Sequence, residues 1–553
     1  MKATGTKVII ETLIEQGCDT VFGYPGGAVL NIYDELYRNS NKIHHVISAH
    51  EQGAAHAADA YARVTGKAGV VIATSGPGAT NLVTGIANAY LDSSPIVAIT
   101  GNVALPLLGK DSFQEVDITG ITMPITKHNY IVKDVNELAD VIREAFKIAQ
   151  SGRPGPVLID VPKDVQTAVC DFENKKPEKM ERICSVTEKQ LEQVAKLISE
   201  SERPYIYCGG GVVISQAGEE IEKLAAKIDS PIGFSMMGLS AVSADNPYWL
   251  GMTGMHGRYA STKANSEADL IIAAGVRFSD RATGNKSRYT QYAKVVHIDI
   301  DPAEIDKNIS AYFGLIGDVK TVLTKLLAKL EKKTHTQWMD KIQQMRIQEG
   351  IQFVKDGVMH PKDIIEKVME YTDENTIVAT DVGQHQMWVA QYYRFKKPRT
   401  YLTSGGLGTM GFGMGAAIGG CFASGCKKTV LFTGDGSFGM NLNEMATAVS
   451  NNLPLVILIF NNGVLGMVRQ WQNTFYDQRY SQTTLNRKTD FVKLAEAFGA
   501  TGFRVMDIKM LKEALDTAFK TQGPVVIDCS ISQDEKVLPM IPPGGSIDNI
   551  ITR

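Results

Sequence analysis

Two short motifs in the last third of the chain combine oxygen-bearing side chains with glycine. Gly434-Asp435-Gly436-Ser437 follows the apolar stretch Thr429–Thr433, and Asn461-Asn462 follows Leu455–Phe460. If the two stretches are parallel strands joined by a right-handed helical crossover, both motifs lie at the carboxyl edge of one sheet. Asp435 could then share a Mg²⁺ ion with the amide, and the glycine turn before a helix could bind phosphate. Taken singly, each motif is equally well explained as a turn or a strand-end cap.

A glutamate near the start of the chain suits either a structural or a catalytic role. Glu51 follows the apolar stretch Ile43–Ile47 and opens an alanine-rich helical segment, Ala54–Ala62. An acidic residue in the first turn of a helix interacts favourably with the helix dipole. On its own, the position of Glu51 favours this structural explanation.

Short β-branched stretches recur along the chain, each followed by turn residues and then by a helical pattern. This arrangement is typical of parallel sheets covered by helices on both faces. We therefore expect an α/β fold built from doubly wound parallel sheets. The predicted strands are Val70–Ala73, Ile96–Thr100, Val157–Asp160, Tyr205–Cys208, Leu270–Ala274, Val295–Ile300, Ile377–Thr380, Thr429–Thr433, Leu455–Phe460 and Val525–Asp528.

The 553 residues are too many for one ordinary core and suggest about three domains. Two charged, weakly apolar stretches, Asp171–Thr187 and roughly 327–349, look like linkers or surface helices between domains. We expect three domains, over residues 1–175, 185–345 and 355–553.

Composition argues against several other classes of protein. Lysine and arginine (57) nearly balance aspartate and glutamate (60), so no general field attracts nucleic acid or an anionic membrane. The longest apolar runs are strand-sized, well short of the ~20 residues of a membrane span. The seven cysteines are scattered, which indicates neither a disulfide framework nor a zinc site. With no signal-peptide pattern at the N-terminus, these features predict a cytoplasmic protein.

In combination, and at this spacing, the GDGS and Asn461-Asn462 motifs resemble the signature of the thiamine-diphosphate-dependent enzymes. The resemblance implies that the metal ligands are Asp435, Asn462 and the carbonyl of Val464. It implies three doubly wound domains of that family's type. It also implies contacts with thiamine diphosphate, in which Met410 bends the cofactor between its rings, from Val382, Gln384, His385, Gly408, Met410, Gly436, Ser437 and Met467.

The first third of the chain carries a second part of the same resemblance. The stretches His50–Ala54 and Tyr61–Gly66 match the pyrimidine-binding domain of the family. In that family a glutamate bonded to the aminopyrimidine favours the imino tautomer that removes the thiazolium proton, which makes Glu51 the activator. Family members place the two motifs across a subunit interface, so the resemblance implies a homodimer or a dimer of dimers.

The fold alone does not decide the reaction, because decarboxylases, oxidases and carboligases share it. Pyruvate decarboxylases carry a histidine pair that protonates the enamine intermediate, whereas the matching region here has Phe113 and Gln114. Neither side chain can donate a proton as a histidine does, so the intermediate should survive to attack a second carbonyl. The sequence therefore favours carboligation.

Longer stretches along the whole chain resemble the acetolactate synthases. They are Phe22–Ala28, Thr74–Asn81, Ser151–Val157, Gly466–Gln472 and Val537–Gly544, and in the family the last belongs to a tail that covers the site. The resemblance implies that pyruvate is decarboxylated and joined to pyruvate or 2-ketobutyrate, the first common step of valine, leucine and isoleucine biosynthesis. The catalytic residues would be Gly27, Glu51, Phe113 and Gln114, and the substrate contacts Lys163, Arg281, Met467, Val468 and Trp471.

The middle third contains glycine turns and charged strand ends that suit a nucleotide. Tyr205–Cys208 runs into Gly209-Gly210-Gly211, and acidic residues follow the predicted strand Val295–Ile300. Any one of these features is also an ordinary loop of an α/β domain. The set resembles the FAD-binding form of the acetolactate synthases, with a structural flavin contacted by Arg153, Gly209, Gly210, Gly211, Met255, His256, Gly275, Arg277, Asp280, Arg281, Asp299 and Asp318.

Two alternatives to the synthase remain open at this point. A pyruvate-oxidase-type enzyme of the same fold would pass electrons from the same intermediate to FAD. A scaffold or regulatory chain without activity is disfavoured because Glu51, Asp435 and Asn462 are all present. Whether a small regulatory subunit binds the synthase is left open by the sequence.

Overall fold

The computed structural model describes residues 1–178, 181–350 and 359–552. Within them the chain forms three six-stranded sheets whose neighbouring strands are all parallel, with helices between successive strands. The expected α/β fold of doubly wound sheets is therefore confirmed. Each sheet lies within one of the three expected domains, but the exact bounds stay a prediction, and the expected start at residue 355 lies outside the described residues.

The first sheet has the strand order β3-β2-β4-β5-β7-β6, and a short antiparallel pair, β1 with β8, joins the two ends of this part of the chain. The strands are β1 Lys2–Thr4, β2 Thr20–Gly23, β3 His44–Ile47, β4 Gly69–Ala73, β5 Ile96–Asn102, β6 His128–Ile131, β7 Val157–Pro162 and β8 Val169–Asp171. The helices are α1 Gly5–Glu15, α2 Leu30–Arg38, α3 Glu51–Thr65, α4 Pro77–Asn81, α5 Val83–Leu91, α6 Ile118–Thr122, α7 Leu138–Gln150 and α8 Lys163–Thr167.

The second sheet has the order β11-β10-β9-β12-β13-β14. Its strands are β9 Pro204–Cys208, β10 Ile232–Phe234, β11 Trp249–Met252, β12 Leu270–Ala274, β13 Lys294–Asp299 and β14 Phe313–Ile316. The helices are α9 Glu188–Glu200, α10 Gly210–Ser215, α11 Gly218–Ile228, α12 Tyr259–Glu267, α13 Asp280–Thr283, α14 Lys286–Tyr289, α15 Val319–Leu327 and α16 Thr336–Gly350.

The third sheet has the order β16-β15-β17-β18-β20-β19. Its strands are β15 Ile377–Thr380, β16 Tyr401–Leu402, β17 Thr429–Gly434, β18 Leu455–Asn461, β19 Thr501–Val505 and β20 Val525–Ser530. The helices are α17 Pro361–Met369, α18 Gln384–Tyr392, α19 Phe412–Ala423, α20 Asp435–Asn441, α21 Met445–Ser450, α22 Gly466–Phe475, α23 Phe491–Phe498 and α24 Ile508–Ala518.

Helix α16 decides between the two expectations for residues 327–349, because it is a surface helix and not a linker. Its residues Trp338, Ile342 and Met345 recur at helical spacing and are buried in one cluster with the apolar residues of β12 and α12. A stripe at this spacing places one face of a helix in a core, even when the remaining face is charged. The helix therefore packs as part of the central domain.

Helices α3 and α19 hold the first and third domains together. Small residues on both allow their backbones to approach closely: a Cβ on Gly415 would lie 2.6 Å from the Gly53 carbonyl oxygen, and one on Gly419 would overlap Ala57. Apolar residues of both domains share one buried cluster around this contact. In the described part of the chain, no helix is long and apolar enough to cross a membrane.

Candidate functional site

The two polar motifs of the last third follow neighbouring strands. Strands β17 and β18 are parallel and in register, with Gly434 opposite Phe460, so Asp435 and Asn461 leave the sheet side by side. Asp435 begins α20, which means that the predicted GDGS turn is already the first turn of a helix. The parallel pairing of β17 and β18 thus brings Asp435 to the segment that begins at Asn462.

The Asp435 carboxyl is largely shielded from water. Burial raises its pKa to about 6, opposed by the backbone N–H groups of Gly436 and Gly463. Gly463 lies between Asn462 and Val464, so the Asp435 carboxyl lies beside the segment that carries the other two predicted metal ligands. A bound cation would offset the cost of burying this charge. One carboxylate, one amide and one carbonyl oxygen are a ligand set that suits Mg²⁺. Among the described residues, no three His, Cys, Asp or Glu side chains cluster as metal ligands.

Asn462 is held by both of its neighbours. Its Oδ1 accepts the Val464 N–H at 3.1 Å, and its Nδ2 donates to Gln384 Oε1 at 3.4 Å. Gln384 in turn donates to Gln470 Oε1 and to the Glu535 carbonyl. Gln384 therefore joins the candidate metal site to helix α22 and to the C-terminal tail.

A buried histidine beside the glycine turns has an unused ring nitrogen. His385 is shielded from water, and its Nε2 has no hydrogen-bond partner among the described residues. A Cβ on either Gly383 or Gly434 would lie about 3 Å from its ring, so both glycines make room for it. Burial lowers its pKa to about 3 and keeps the ring neutral. An orphaned nitrogen in this cradle fits a polar ligand such as a phosphate oxygen.

The remaining residues predicted to contact the diphosphate lie around α20. Ser437 is buried and its hydroxyl bonds with the Gly434 backbone, so it also caps the helix. A Cβ on Gly436 would lie 3.9 Å from the methyl group of Met410, which places Met410 beside the first turn of α20. The Gly436 end of the helix and Met410 are therefore close together.

Glu51 is the first residue of α3 and is buried on the first domain. Its Oε2 accepts a hydrogen bond from Asn81 Nδ2 at 2.9 Å, and a Cβ on Gly78 would lie 3.2 Å from its Oε1. The same loop contacts Gln114, which lies against Gly76 and has a positive φ of 58°. The structure therefore brings Glu51 and Gln114 to two ends of one glycine loop.

The other predicted catalytic residues of the first domain are exposed. Phe113 is 87% exposed, and Gly27 lies on a surface loop beside Ala28, whose N–H donates to Thr74 Oγ1. Lys163 is exposed at the start of α8.

A cavity of about 1740 Å³ lies where the three domains meet. It unites many of the predicted cofactor and substrate contacts, far apart in sequence but adjacent here. Those residues are Arg153, Met255, His256, Arg277, Asp280, Arg281, Val382, Gly408, Met467, Val468 and Trp471. Neither Glu51 nor Asp435 lines this cavity, so within one chain the predicted activating residue stands apart from it.

Arg281 and Trp471 touch within the cavity. The Arg281 guanidinium carbon lies 5.5 Å from the centre of the Trp471 ring, and Nη1 lies 3.6 Å from the sulfur of Met255. A long ion pair with Asp280, at 3.7 Å between exposed groups, is the weaker contact of Arg281. Trp471 is half-buried and lines the cavity, which is a different setting from that of a core tryptophan.

A smaller adjoining cavity of about 160 Å³ contains most of the predicted nucleotide residues. Its lining includes Gly210, Gly211, Gly275, Asp299 and Asp318, together with Arg153 and Arg277 from the larger cavity's wall. The predicted close approach of backbones is visible within the protein itself, since a Cβ on Gly211 would lie 2.6 Å from the Gly275 Cα and one on Gly209 would overlap the Gly275 carbonyl.

The charges around the smaller cavity are unequally paired. Arg153 pairs with Asp301 and Glu304, and Asp318 caps α15 while pairing with Arg182. Burial lowers the pKa of Arg277, which makes no ion pair with any described residue, and raises the pKa of Asp299 to about 6. A half-buried guanidinium that makes no ion pair fits an anionic ligand.

His256 has a buried, unused ring nitrogen similar to that of His385. Its Nδ1 has no partner in the described part of the chain, and burial lowers its pKa to about 4, helped by Arg281. The backbone carbonyl of His256 accepts a hydrogen bond from Gln391 Nε2. The neutral ring thus faces the cavity from a fixed backbone.

Residues that the sequence did not single out hold the site in place. Gln470 exchanges two hydrogen bonds with the backbone of Val537, and Asp381 accepts the N–H groups of Val382 and Gly411. The Ile541 N–H donates to the Met255 carbonyl, so the tail lies against the cavity wall. These partners are distant in sequence. Gln470, Val537 and Ile541 lie in family-like stretches, but nothing in the sequence pointed to their contacts.

Comparison with known proteins agrees with this arrangement. Three family models of the thiamine pyrophosphate enzymes match the chain: the N-terminal TPP binding domain at residues 3–121, the central domain at 191–326 and the C-terminal TPP binding domain at 381–529. The three matched segments correspond to the three sheets described above.

Full-length relatives narrow the family. The chain is 47% identical to the probable acetolactate synthase large subunit of Methanocaldococcus jannaschii, over 99% of this chain and 95% of that protein. It is 45% identical to the acetolactate synthase large subunit of Cyanidium caldarium (98% and 96% covered) and 43% identical to the acetolactate synthase isozyme 2 large subunit of Escherichia coli (99% and 99%). The expected resemblance is confirmed, and the oxidase alternative is not favoured. The chain belongs to the acetolactate synthase large subunit family of thiamine pyrophosphate enzymes.

Proposed function

We propose that this chain decarboxylates pyruvate and joins the remaining two-carbon unit to a second 2-keto acid, pyruvate or 2-ketobutyrate. The products would be 2-aceto-2-hydroxy acids, the first common intermediates of branched-chain amino acid biosynthesis. The observation that carries the proposal is the similarity, over nearly the full chain, to large subunits named acetolactate synthase. The buried Asp435 carboxyl, which suits a metal ion, and the cavity lined by Trp471, which suits a small keto acid, support the proposal.

Thiamine diphosphate and Mg²⁺ would bind at the third domain. The shielded Asp435 carboxyl, the Asn462 amide and the Val464 carbonyl would hold the cation, while His385 Nε2 and the first turn of α20 would meet the diphosphate. When bound, thiamine diphosphate supplies a nucleophilic thiazolium carbon and accepts the electron pair released with CO₂. Every other step depends on how the protein's own side chains handle protons and shape the cavity.

Glu51 would hold and pass the proton that activates the cofactor. The Asn81 amide at 2.9 Å fixes one carboxylate oxygen and leaves the other on the Gly78 side. Phe113 and Gln114 offer no acidic proton, so a carbanion-like centre nearby would not be quenched before it met a second carbonyl. Gly27 leaves space on the same face, because no described atom lies within 4 Å of a Cβ placed there.

Substrate selection would take place in the large cavity. Met467, Val468 and Trp471 form an apolar wall, and Arg281 stacks on the indole ring, where its charge could meet a carboxylate. Lys163 would contribute a second cation from the first domain. One wall would therefore sort the acceptor by size and a guanidinium would fix its carboxylate.

We also propose a structural FAD in the central domain. Arg277 would pair with the pyrophosphate, and the ends of β13 and the glycine turn would hold the nucleoside part. The purified protein should bind FAD without reducing it during turnover. While pyruvate is consumed, the absorbance of the oxidised flavin should not change, and no oxygen should be taken up in the presence of phosphate. These two results would distinguish a structural FAD from the redox FAD of an oxidase.

The assembly would be a homodimer or a dimer of dimers with sites at the subunit interface. The separation of Glu51 from the large cavity and the exposed Phe113 support this arrangement. Since the relatives are named large subunits, we propose that a small regulatory subunit can also bind.

The experiment is product analysis with pyruvate, 2-ketobutyrate, thiamine diphosphate and Mg²⁺, using parent protein, Glu51→Gln and Glu220→Gln. Glu220 is a matched control because it is also a buried glutamate in the first turn of a helix, α11, in the central domain. The parent and Glu220→Gln should form acetolactate and acetohydroxybutyrate, and Glu51→Gln should lose most activity while retaining the cofactor. Acetaldehyde or acetyl phosphate as the main product would contradict the proposal.

A further inference from the structure

One buried carboxylate reaches from the third domain into the first. Glu444 is 1% exposed and follows α20 in the short 3₁₀ segment Leu442–Glu444. Its carboxylate accepts the N–H groups of Ala49 and His50, at 3.2 and 3.0 Å, and the hydroxyl of Thr447 at 2.7 Å. Burial raises the pKa of Glu444, against the effect of these donors.

The contact is fitted closely to the start of helix α3. A Cβ on Gly53 would overlap the Glu444 carboxylate, so only glycine at that position allows the approach. The two backbone donors immediately precede Glu51, the first residue of α3. A carboxylate at a helix N-terminus also interacts favourably with the helix dipole, and hydrogen bonds to a charged acceptor are stronger than neutral ones.

Glu444 lies at the end of the element that begins at the candidate metal ligand Asp435. The chain passes from Asp435 through α20 directly into Leu442–Glu444, so the element that begins at the candidate metal ligand ends at the carboxylate that holds Ala49 and His50. Glu51 has only Asn81 as a side-chain hydrogen-bond partner among the described residues, so its direction depends strongly on the backbone that carries it.

We propose that Glu444 is a positioning residue for Glu51, which it serves by fixing the backbone at Ala49 and His50. The inference rests on the proposed role of Glu51 in cofactor activation. Glu444 does not itself reach the reacting atoms. Without its charge, α3 should stay packed against α19, but the Glu51 carboxyl should sample orientations that no longer meet the aminopyrimidine.

The test compares Glu444→Gln with Asp269→Asn in the full-length protein. Asp269 is a matched control, because its carboxylate also accepts two consecutive backbone N–H groups, those of Glu202 and Arg203, and the Ser201 hydroxyl, but in the central domain. For each protein, thiamine diphosphate affinity, melting temperature and the exchange rate of the thiazolium C2 proton in the saturated complex are measured.

Glu444→Gln should bind the cofactor within about threefold of the parent and lower the C2 proton exchange rate about tenfold or more. Asp269→Asn should have the parent exchange rate even where its melting temperature falls as far. Gly53→Ala, whose new Cβ displaces the Glu444 carboxylate, should reproduce the slow exchange and provides the test if Glu444→Gln does not fold.

The outcomes separate this inference from the proposed function. Parent-like exchange in Glu444→Gln or in Gly53→Ala, alongside slow exchange in Glu51→Gln, would overturn the role of Glu444 alone. Parent-like exchange in Glu51→Gln would overturn the proposed activation itself. Slow exchange in Asp269→Asn would show a general effect of destabilisation and would also overturn the inference.

Discussion

The contact between Arg281 and Trp471 combines a charged and an apolar group on one wall of the large cavity. The guanidinium lies over the indole, and the ring edge of Phe475 packs against it at 5.7 Å between centroids. An indole ring in contact with two side chains has less freedom to move, so its shape can discriminate between ligands. A rigid apolar surface next to a cation suits a 2-keto acid with a short alkyl tail.

We predict that Trp471→Leu folds and still makes acetolactate but loses most of its preference for 2-ketobutyrate. The two acceptors differ by one methylene, worth about 0.8 kcal/mol from burial alone, whereas a shaped pocket can reach roughly 10–200-fold discrimination. The measurement is the ratio of acetohydroxybutyrate to acetolactate, corrected for the acceptor ratio. Trp338→Leu, in the core of the central domain, should lose stability with the ratio unchanged. An unaltered ratio in Trp471→Leu would leave acceptor choice unexplained.

The sequence identified the site residues that belong to recognisable motifs. Asp435 and Asn462 were identified because each follows a buried strand, and Glu51 because it opens a helix within a family-like stretch. Asn81 and Glu444 could not be assigned a role, because the hydrogen-bonded partners through which they act lie 30 or more positions away. A single sequence carries no signal for such pairings.

All ten predicted strands are present in the structure, and their observed bounds differ from the predicted ones by at most two residues. Most are fully buried in the middle of a sheet, where continuous runs of valine and isoleucine are expected. Among the strands that were not predicted, β6, β14 and β19 are largely half-buried and have mixed composition, whereas β10 and β11 are buried but only three and four residues long. Their pairing depends on neighbours that periodicity does not reveal.

The close approach of two backbones in the central domain yields a prediction about FAD. Gly211→Ala should destabilise the protein by about 1–3 kcal/mol and weaken FAD binding, because its Cβ would meet the Gly275 backbone at 2.6 Å. Gly210→Ala is the control, since its Cβ would lie 3.2 Å from the Met237 Cβ, a much milder approach than the 2.6 Å at Gly211. Thermal unfolding and FAD titration measure both effects. Equal behaviour of the two variants would argue against a backbone constraint.

Strand β7 buries an aspartate whose ionisation should affect stability. Asp160 accepts hydrogen bonds from Thr100 and Asn102, yet burial raises its pKa from 3.8 to about 6. Between these two values the folded state keeps a proton that the unfolded state has lost. The free energy of unfolding should therefore fall by about 3 kcal/mol as pH rises from about 4 to 6, then level off.

The variant Asp160→Asn should lack this loss of stability. Its melting temperature relative to the parent should be higher at pH 7.5 than at pH 4.5, measured without cofactors. Asp171→Asn is the control because Asp171 is exposed and its pKa is lowered by Lys2, so its replacement should give no such gain at high pH. A difference between Asp160→Asn and the parent that does not change with pH would contradict the prediction.

The residues proposed for the site lie on two domains of the chain, the first and the third. The first domain supplies Glu51 and Gln114 around one glycine loop, and the third supplies Asp435 and the wall that contains Trp471. Helices α3 and α19 fix these domains against each other through contacts that leave little freedom. A second copy, rather than a rearrangement of this chain, is the simpler way to bring a Glu51 to the cavity.

This arrangement predicts complementation between two inactive variants. A dimer that pairs Glu51→Gln with Asp435→Ala has two sites. One site combines the intact Glu51 of one subunit with the intact Asp435 of the other, and the second site has neither residue. Mixed dimers, purified through two different tags after co-expression, should therefore recover about half of the parent activity, while each variant alone stays inactive. If both residues acted within one chain, no mixed dimer would contain a complete site, and the mixture would remain as inactive as its components.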